Sequence, residues 1–246
     1  MAGRGSGFLS LECASNSQNL NVVSVDAKVQ QAGADVYSCR GHPGLAVCAW
    51  MSHRYTEYVG GGSMPLICKP FVFVRHGETP LNRDKVIGGS TDVPLTDEGE
   101  QQARSAAPIL GRYDWNGVAV SSLKRAQRTL ELALPGAAHV VMPDLCERDW
   151  GELENRPLAE LTPYESTPPG GESWETFCTR VTDALNSLLE QYDTPLIVAH
   201  SGVYRVIRYH AFGTPYGDRV GNAVPMWISP GETSQEWQIM PLAERG

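Results

Sequence analysis

The sequence predicts an α/β fold in which a mostly parallel sheet carries helices on both faces, as a three-layer αβα sandwich. From Pro65 onward, short apolar segments of strand length alternate with segments whose apolar residues recur at helical spacing. This alternation is typical of strand–helix–strand units, which place helices against both faces of a parallel sheet. The 246 residues suit one large domain, or one domain with an appendage.

The first predicted strand and the first predicted helix have clear boundaries. Phe71–Val74 is wholly apolar and precedes Arg75, so it is expected to form a buried strand. Thr96 is a favourable N-cap for a helix that carries acidic residues in its first turn and runs to Gly111. One face of this helix is made of small and apolar residues, namely Ala103, Ala106, Ala107 and Leu110.

The rest of the chain continues the pattern. In chain order we predict a strand at 118–120, a helix that starts near Ser121 or Ser122 and contains 123–134, a helix at 172–192, a strand at 195–199 and a helix after Gly202. The helix at 172–192 is expected to bury Trp174, Phe177, Val181, Leu185 and Leu188. Two antiparallel strands, near 223–229 and 235–241, are predicted around a turn at Pro230-Gly231.

The charge and hydropathy of the chain exclude several classes of protein. The net charge is −8, which provides no broad positive field for a nucleic-acid backbone. No stretch reaches the roughly 18 apolar residues that a membrane span requires. The six cysteines form no CxxC pair, as expected for reduced thiols. We therefore predict a cytoplasmic protein with no nucleic-acid and no membrane partner.

Residues 1–63 differ in character from the remainder. They hold four basic and four acidic side chains, so the net charge of −8 lies on residues 64–246. A Gly60-Gly61-Gly62-Ser63 tract closes the segment and is typical of a linker. We expect a disordered N-terminal extension followed by a domain at 64–246, or alternatively a true start at Met64. The cysteines and histidines of the segment match the spacing of no zinc class.

Two predicted strands end at a histidine. His76 follows the first strand and His200 follows the strand at 195–199, and ligands of open α/β sheets collect beyond such strand ends. Arg75 and Arg125 add forked donors suited to phosphate. A neutral imidazole can attack phosphorus when cations neutralise the phosphoryl oxygens. A carboxyl such as Glu147 can then protonate the leaving alkoxide.

The motifs that contain these residues occur in a fixed order along the chain. They are Phe73-Val74-Arg75-His76-Gly77-Glu78-Thr79 with Asn82, then Gly89, Asp92, Pro94-Leu95-Thr96, Gly99 and Gln102-Ala103, then Ser122-Leu123-Lys124-Arg125-Ala126 with Thr129, then Leu145-Cys146-Glu147 with Trp150-Gly151, and Val198-Ala199-His200-Ser201-Gly202. This order resembles the histidine phosphatase superfamily, also called phosphoglycerate mutase-like. The resemblance covers roughly residues 69–241 and implies the αβα fold of that family.

The resemblance also implies roles for matched residues. His76 would become phosphorylated, and Glu147 would be the proton donor. The residues that would bind the phosphoryl group or the rest of the substrate are Arg75, Asn82, Arg125, His200, Ser201 and Gly202. No metal and no cofactor is implied. Two positions depart from the family pattern: Asn155 stands where relatives have glycine, and Ser201 replaces the commoner glycine after the second histidine.

Little chain is free to cover the site. Between Glu147 and His200, the predicted helix and strand leave a short, proline-rich segment at about 153–171 as a cap. Family mutases protect phosphohistidine from water with a larger insertion and a C-terminal tail, whereas here only a few residues follow the last predicted strand. Water is therefore expected to reach the phosphoenzyme.

These observations favour a metal-independent phosphomonoester hydrolase, a histidine acid-type phosphatase. A cofactor-dependent phosphoglycerate mutase and a non-catalytic phosphate-binding or scaffolding protein remain as alternatives. The expected partner is a small phosphorylated metabolite or a phosphorylated protein side chain, because a small cap leaves the pocket open. The sequence does not predict the oligomeric state.

Overall fold

The structure, a computed structural model, describes residues 64–231 and 236–245, so the predictions for residues 1–63 lie outside the described residues. The strands are β1 (Phe71–Arg75), β2 (Val118–Ser121), β3 (Val140–Met142), β4 (Leu196–Ala199), β5 (Pro225–Pro230) and β6 (Trp237–Pro241). The helices are α1 (Pro80–Arg83), α2 (Asp97–Leu110), α3 (Lys124–Ala133), α4 (Trp174–Gln191) and α5 (Ser201–Phe212). Within the described ranges, no helix combines the length and apolar character needed to cross a membrane.

All six strands form one sheet in the order β3-β2-β4-β1-β5-β6. The first four strands of that order are parallel, whereas β5 is antiparallel to both β1 and β6. The register pairs Arg75 with Ala199 and Val120 with Val198. The carboxyl ends of β1, β2 and β4 therefore lie side by side at one edge of the sheet, which is the place where ligands of such sheets bind.

The side chains of β1 alternate between two buried layers. Phe71 and Phe73 belong to a core that also contains residues of α4 and α5. Val72 and Val74 belong to a second core, shared with residues of α2 and α3. All four side chains are fully buried, and each contributes roughly 1.5–3 kcal/mol through the hydrophobic effect. The predicted three-layer αβα sandwich, with a mostly parallel sheet, is confirmed.

Hydroxyl side chains cap two of the long helices. Thr96 Oγ1 accepts a hydrogen bond of 3.0 Å from the Gly99 amide at the start of α2, as predicted. Ser173 Oγ accepts one of 3.0 Å from the Thr176 amide. Because Ser173 is the cap, α4 begins at Trp174, two residues later than the predicted boundary.

Two short elements were not predicted. Strand β3 has three residues at the sheet edge, and Val140 and Val141 are exposed, so its pattern carries no sign of burial. Helix α1 is a single turn, and Thr79 and Asn82 form a reciprocal capping box at its start. Neither element is long enough for hydrophobic periodicity to reveal it.

Helix α2 approaches the chain that follows β1 very closely. A Cβ atom at Gly77 would collide with the Gly99 carbonyl, and one at Gly99 would collide with the backbone of Glu78. The Thr96 amide also donates to the Glu78 carbonyl at 2.9 Å. Glycine at positions 77 and 99 thus lets the helix fix the segment that directly follows His76.

The 153–171 segment contains no α-helix and no strand of the sheet. Its regular structure consists of one 3₁₀ turn at Leu158–Glu160 and the end of another at Gly151–Leu153. Backbone hydrogen bonds join it to the chain after α1: Asn155 N to Ile87 O, Ile87 N to Arg156 O, and Leu158 N to Lys85 O, at 2.7–2.9 Å. The segment is therefore held mainly by main-chain atoms along this side.

A buried arginine holds the same segment on its inner side. Arg148 is completely buried and donates to the carbonyls of Tyr164, Ser166 and Glu172 at 2.7–3.0 Å. Its guanidinium carbon also lies 4.5 Å from the ring centre of Trp150. Burial lowers the pKa of Arg148, but an arginine remains charged, so the carbonyl oxygens provide the compensating interactions for the buried cation.

Candidate active site

The two predicted histidines meet at the carboxyl edge of the sheet. His76 directly follows β1, and its amide donates to the Ala199 carbonyl at 3.0 Å, which ties it to the end of β4. His200 directly follows β4. The ring centres of His76 and His200 are 5.2 Å apart, and both side chains are buried.

A backbone carbonyl fixes the tautomer of His76. Nδ1 lies 2.7 Å from the Gly77 carbonyl oxygen, and because a carbonyl can only accept, Nδ1 carries the proton. Nε2 of the neutral ring therefore keeps its lone pair. Burial lowers the pKa of His76 well below the usual value, and the charges of Arg125 and Arg75 lower it further. The ring is thus neutral at physiological pH, as a nucleophile must be.

Arg75 and Arg125 are anchored by carbonyl groups. Arg125 Nη1 and Nη2 donate to the carbonyls of Thr91 and Gly89 at 2.8 and 2.7 Å, and Arg75 Nη1 donates to Val220 at 3.2 Å. Arg75 Nε is buried and has no hydrogen-bond partner in the described part of the chain. Both guanidinium groups line the same cavity as His76. They are placed to bind an anion there.

The loop that holds Arg125 is itself held by Glu154. This carboxylate accepts hydrogen bonds from the amides of Ser90 and Thr91 at 2.6 and 2.8 Å, and from both of their hydroxyls. Burial raises the pKa of Glu154, but the hydrogen bonds from Thr91, Ser90 and Trp150 outweigh it and lower the pKa. A residue of the 153–171 segment therefore positions the carbonyls that orient Arg125.

Glu147 lies between a 3₁₀ turn at Pro143–Leu145 and the start of α5. One carboxylate oxygen accepts from the Arg148 amide at 2.8 Å, and the other accepts from the Gly202 amide at 2.9 Å. A Cβ atom at position 202 would collide with this carboxylate, so glycine permits the contact. The Glu147 charge opposes the lowering of the Arg75 pKa by burial, and Glu147 lines the same cavity as Arg75 and Arg125.

His200 is oriented by a serine at the end of β2. Its Nε2 lies 2.7 Å from Ser121 Oγ, whereas Nδ1 is buried and has no partner among the described residues. Burial lowers the pKa of His200 well below its usual value, and Arg125, His76 and Arg75 lower it further. His200 is therefore a neutral ring whose Nδ1 has no hydrogen-bond partner among the described residues. Its side chain is fully buried and does not line the cavity, so its contact with a phosphoryl group stays a prediction.

The remaining predicted residues take two kinds of position. Asn82 lines the cavity, and its Oδ1 accepts from the Thr79 amide at 3.2 Å and from Asn222 Nδ2 at 3.3 Å, which leaves its amide NH₂ as a donor. Ser201 also lines the cavity. The Gly202 amide, by contrast, is bonded to Glu147 in this structure, so its assignment as a substrate contact stays a prediction.

Several residues that line or support the cavity lie outside the sequence motifs. Asn222 binds the His76 carbonyl at 2.9 Å and thereby supports the strand end. Tyr164, Arg205 and Arg219 also line the cavity, which has a volume of about 920 Å³. Their positions depend on chain segments far apart in sequence, so spacing alone could not have identified them.

The two departures from the family pattern are accommodated. Asn155 has a φ of 64°, in the left-handed region that relatives would occupy with glycine, and asparagine is one of the few other residues that adopt it readily. Ser201 is the first residue of α5 and keeps its backbone amide. Among the residues that the structure describes, no group of three or more His, Cys, Asp or Glu side chains is arranged to hold a metal ion.

Comparison with known proteins identifies the family. A model described as the histidine phosphatase superfamily, branch 1, matches residues 71–225. The uncharacterized phosphatase PhoE of Bacillus subtilis is 36% identical over 178 residues, which cover 68% of this chain and 90% of that protein. A 2,3-bisphosphoglycerate-dependent phosphoglycerate mutase of Cytophaga hutchinsonii is 33% identical over 168 residues, with coverage of 60% and 77%.

A solved structure agrees with these matches. The alpha-ribazole phosphatase of Shigella flexneri is 26% identical and superimposes with a TM-score of 0.62, covering 72% of this chain and 97% of that one. The sheet, its covering helices and the paired histidines of the present structure fit this similarity. The chain is an enzyme of the phosphatase and phosphoglycerate mutase-like class, and it belongs to the histidine phosphatase superfamily.

Proposed function

We propose that the protein is a phosphomonoester hydrolase that acts through a phosphohistidine at His76. The observation that carries the proposal is the hydrogen bond from Nδ1 of His76 to the Gly77 carbonyl, in a buried site beside Arg75 and Arg125. This arrangement supports attack by Nε2 on phosphorus, because the ring is neutral and its lone pair faces no competing proton. The same two arginines are the natural ligands of the phosphoryl oxygens.

In the first step, Nε2 of His76 forms a bond to phosphorus while the ester P–O bond breaks. Arg75, Arg125 and His200 bind the phosphoryl oxygens, and Glu147 delivers a proton to the leaving oxygen. The alcohol departs, and His76 carries the phosphoryl group. The carboxylate of Glu147 remains in place through its two backbone amide donors.

In the second step, a water molecule attacks the phosphoryl group as the P–N bond breaks. Glu147, now ionised, accepts the proton of that water, and inorganic phosphate is released. His76 returns to its neutral state with Nδ1 still bonded to Gly77. The cycle uses the positive charge of the arginines, so we expect EDTA to leave turnover unchanged.

Hydrolysis rather than phosphoryl transfer to a second metabolite is supported by the 153–171 segment. It contains only short 3₁₀ structure, and residues 155–157 and 159–160 are exposed on its outer side. We propose that this segment is a cap one layer thick. Such a cap gives water a short path to phosphohistidine, whereas a mutase has to exclude water.

The test is turnover of p-nitrophenyl phosphate and of glycerol 3-phosphate by the full chain and by His76→Ala. We expect the wild type to release inorganic phosphate and to yield an acid-labile, alkali-stable phosphoprotein after rapid quenching. His76→Ala is expected to lose both, and His139→Ala, at an exposed histidine away from the cavity, is the matched control. Substantial activity of His76→Ala would rule out the covalent mechanism.

A second assay separates the two activities found among the relatives. Wild-type enzyme receives 3-phosphoglycerate with catalytic 2,3-bisphosphoglycerate, and both inorganic phosphate and 2-phosphoglycerate are measured. The proposal predicts release of phosphate. Formation of 2-phosphoglycerate without phosphate release would identify a mutase, and absence of both from every phosphomonoester would favour a phosphate-binding protein.

A further inference from the structure

The cavity is strongly cationic although the chain is acidic. Five of its lining residues are cations, namely Arg75, Lys85, Arg125, Arg205 and Arg219, and Glu147 is the carboxylate that lines it. The whole chain has a net charge of −8. The positive charge is therefore concentrated at the site, where it raises the local concentration of anionic ligands.

These cations form two groups. Arg125 and Arg75 act on the histidines, since they add to the burial that lowers the pKa of His76. Arg205 and Arg219 act on Tyr164 of the 153–171 segment: burial and the charge of Glu147 raise the pKa of this phenol, and both arginines oppose that rise, Arg205 also through a side-chain hydrogen bond. The charge of Arg219 also lowers the pKa of Arg75. Arg75 and Arg125 thus lie with the histidines and Arg205 contacts the 153–171 segment, while all four arginines line the same cavity.

The surroundings of Arg205 are those expected of an anion-binding residue. It is only 7% exposed, and among the described residues no carboxylate forms a salt bridge with it. Its Nη1 donates to three carbonyls at 3.0–3.4 Å, whereas Nε is buried and has no hydrogen-bond partner within the described ranges. A buried cation with no opposite charge is costly unless a ligand supplies one.

The position of Arg205 is also fixed in advance. The three carbonyls belong to Pro215, Gly217 and Asp218, in the loop that leads to Arg219. Tyr216 of that loop accepts a hydrogen bond from the Tyr164 amide at 3.1 Å, so the loop and the 153–171 segment form one wall. An anion that binds there meets a guanidinium already held in place, which reduces the entropy lost on binding.

We propose that Arg205 and Arg219 form a second anion subsite, which selects small phosphomonoesters that carry a further carboxylate or phosphate group. The inference rests on the proposed function, because it assigns the first phosphoryl group to Arg75 and Arg125. A cavity of about 920 Å³ accommodates such a metabolite. The same subsite disfavours neutral alcohols as leaving groups, because they leave the buried cation unpaired.

Two matched substrate pairs test the subsite and distinguish its two possible ligands. 3-Phosphoglycerate differs from glycerol 3-phosphate by a carboxylate in place of a hydroxymethyl group, and fructose 1,6-bisphosphate differs from fructose 6-phosphate by a second phosphate. For at least one pair, we expect kcat/KM for phosphate release to favour the more anionic member by roughly 10- to 100-fold, as for a charge-assisted contact. The pair that shows the preference identifies the anion.

Variants then locate the preference. Arg219 is exposed, so Arg219→Gln is expected to fold and to reduce the ratio of kcat/KM within the preferred pair by about 10-fold. Arg205→Gln should reduce the ratio at least as much. Arg112→Gln removes the same charge from an exposed position away from the cavity and should leave the ratio unchanged.

The outcomes separate the two proposals. Equal kcat/KM within both pairs, or a ratio unaffected by Arg219→Gln, would overturn the subsite while leaving the hydrolase intact. Absence of phosphate release from all four compounds and from p-nitrophenyl phosphate would overturn the hydrolase. In that case, binding of the same four compounds to the wild-type protein, measured by calorimetry, still tests the subsite, and equal affinities within each pair would overturn it.

Discussion

Ser121 Oγ and His200 Nε2 are hydrogen bonded at 2.7 Å, across the ends of two neighbouring strands. His200 is neutral because burial, with help from Arg125, lowers its pKa. If the serine donates its proton to Nε2, then Nδ1 carries the ring proton and can donate to a phosphoryl oxygen. The serine would then select the tautomer that binds phosphate.

We predict that Ser121→Ala reduces kcat/KM by roughly 10-fold, because the loss of one neutral hydrogen bond releases the ring from its productive tautomer. Ser121→Thr should restore much of the activity. The direct measurement is the ¹⁵N chemical shift of the two ring nitrogens of His200. A proton on Nε2 in the resting enzyme would contradict the assignment and would mean that the hydroxyl donates to Cys146 Sγ instead, which lies 3.4 Å away.

Glu147→Gln tests the proton donor. The amide preserves the shape of the side chain but cannot give up a proton, so turnover of alkyl phosphates should fall by roughly 10² to 10⁴. p-Nitrophenyl phosphate should be affected less, because nitrophenolate leaves with little protonation. The measurement is a plot of log(kcat/KM) against leaving-group pKa, which should be steeper in the variant. An equal loss for every leaving group would assign Glu147 to the structure of the pocket.

Glu154→Gln tests whether the 153–171 segment positions Arg125. An amide nitrogen would face the donors of Ser90 and Thr91, so the loop should shift and kcat/KM should fall about 10- to 100-fold. Glu152→Gln, at an exposed glutamate two residues away, is the control.

The effect of Glu154 should depend on Arg125. In an Arg125→Lys background, Glu154→Gln should lower kcat/KM little further, because the effects of two residues that act through the same contact do not add. If the two losses of log(kcat/KM) simply add, Glu154 acts on the site by another route.

The stability of the fold should decrease at acid pH. Burial lowers the pKa of His210 from 6.5 to about 4, and its Nε2 lies 2.8 Å from the Thr182 hydroxyl. Below pH 6.5, His210 of the unfolded chain binds a proton, whereas His210 of the native protein stays unprotonated down to about pH 4. The free energy of unfolding therefore falls as the pH falls through this range. His76 and His200 act in the same direction, because burial also lowers their pKa.

The urea midpoint measured from neutral pH down to about pH 5 checks this expectation. His210→Gln should show a smaller decrease of the midpoint than the wild type. His139→Gln changes an exposed histidine and should follow the wild type. Identical slopes for all three proteins would show that His210 does not contribute.

The fold was largely predictable because its signals are local. An apolar run such as Phe71–Val74, or a cap such as Thr96, can be recognised without knowing what packs against it. Strand β3 was not predicted, because an exposed three-residue edge strand has no burial pattern. The start of α4 differed by two residues, since Ser173 rather than an earlier residue provides the cap.

The site was predictable only where chemistry coincides with a motif. His76 and His200 could be placed together because both follow parallel strands of one sheet. The tautomer of His76 could not be predicted from the sequence, because it depends on the direction of the Gly77 carbonyl. Arg205 and Asn222 were not predicted either, since their roles arise from contacts between segments that are distant in sequence.

The hydrogen bonds between the 153–171 segment and residues 85–87 use main-chain atoms on both sides. Main-chain groups are the same in every residue except proline, so these bonds tolerate replacement of the side chains around them. Leu158 and Leu161, which line the cavity, can therefore change without releasing the segment. At Leu158, the main-chain amide holds the segment, whereas the side chain lines the cavity. This separation makes the segment a suitable place for evolution, or for a designed library, to alter which molecule the enzyme accepts.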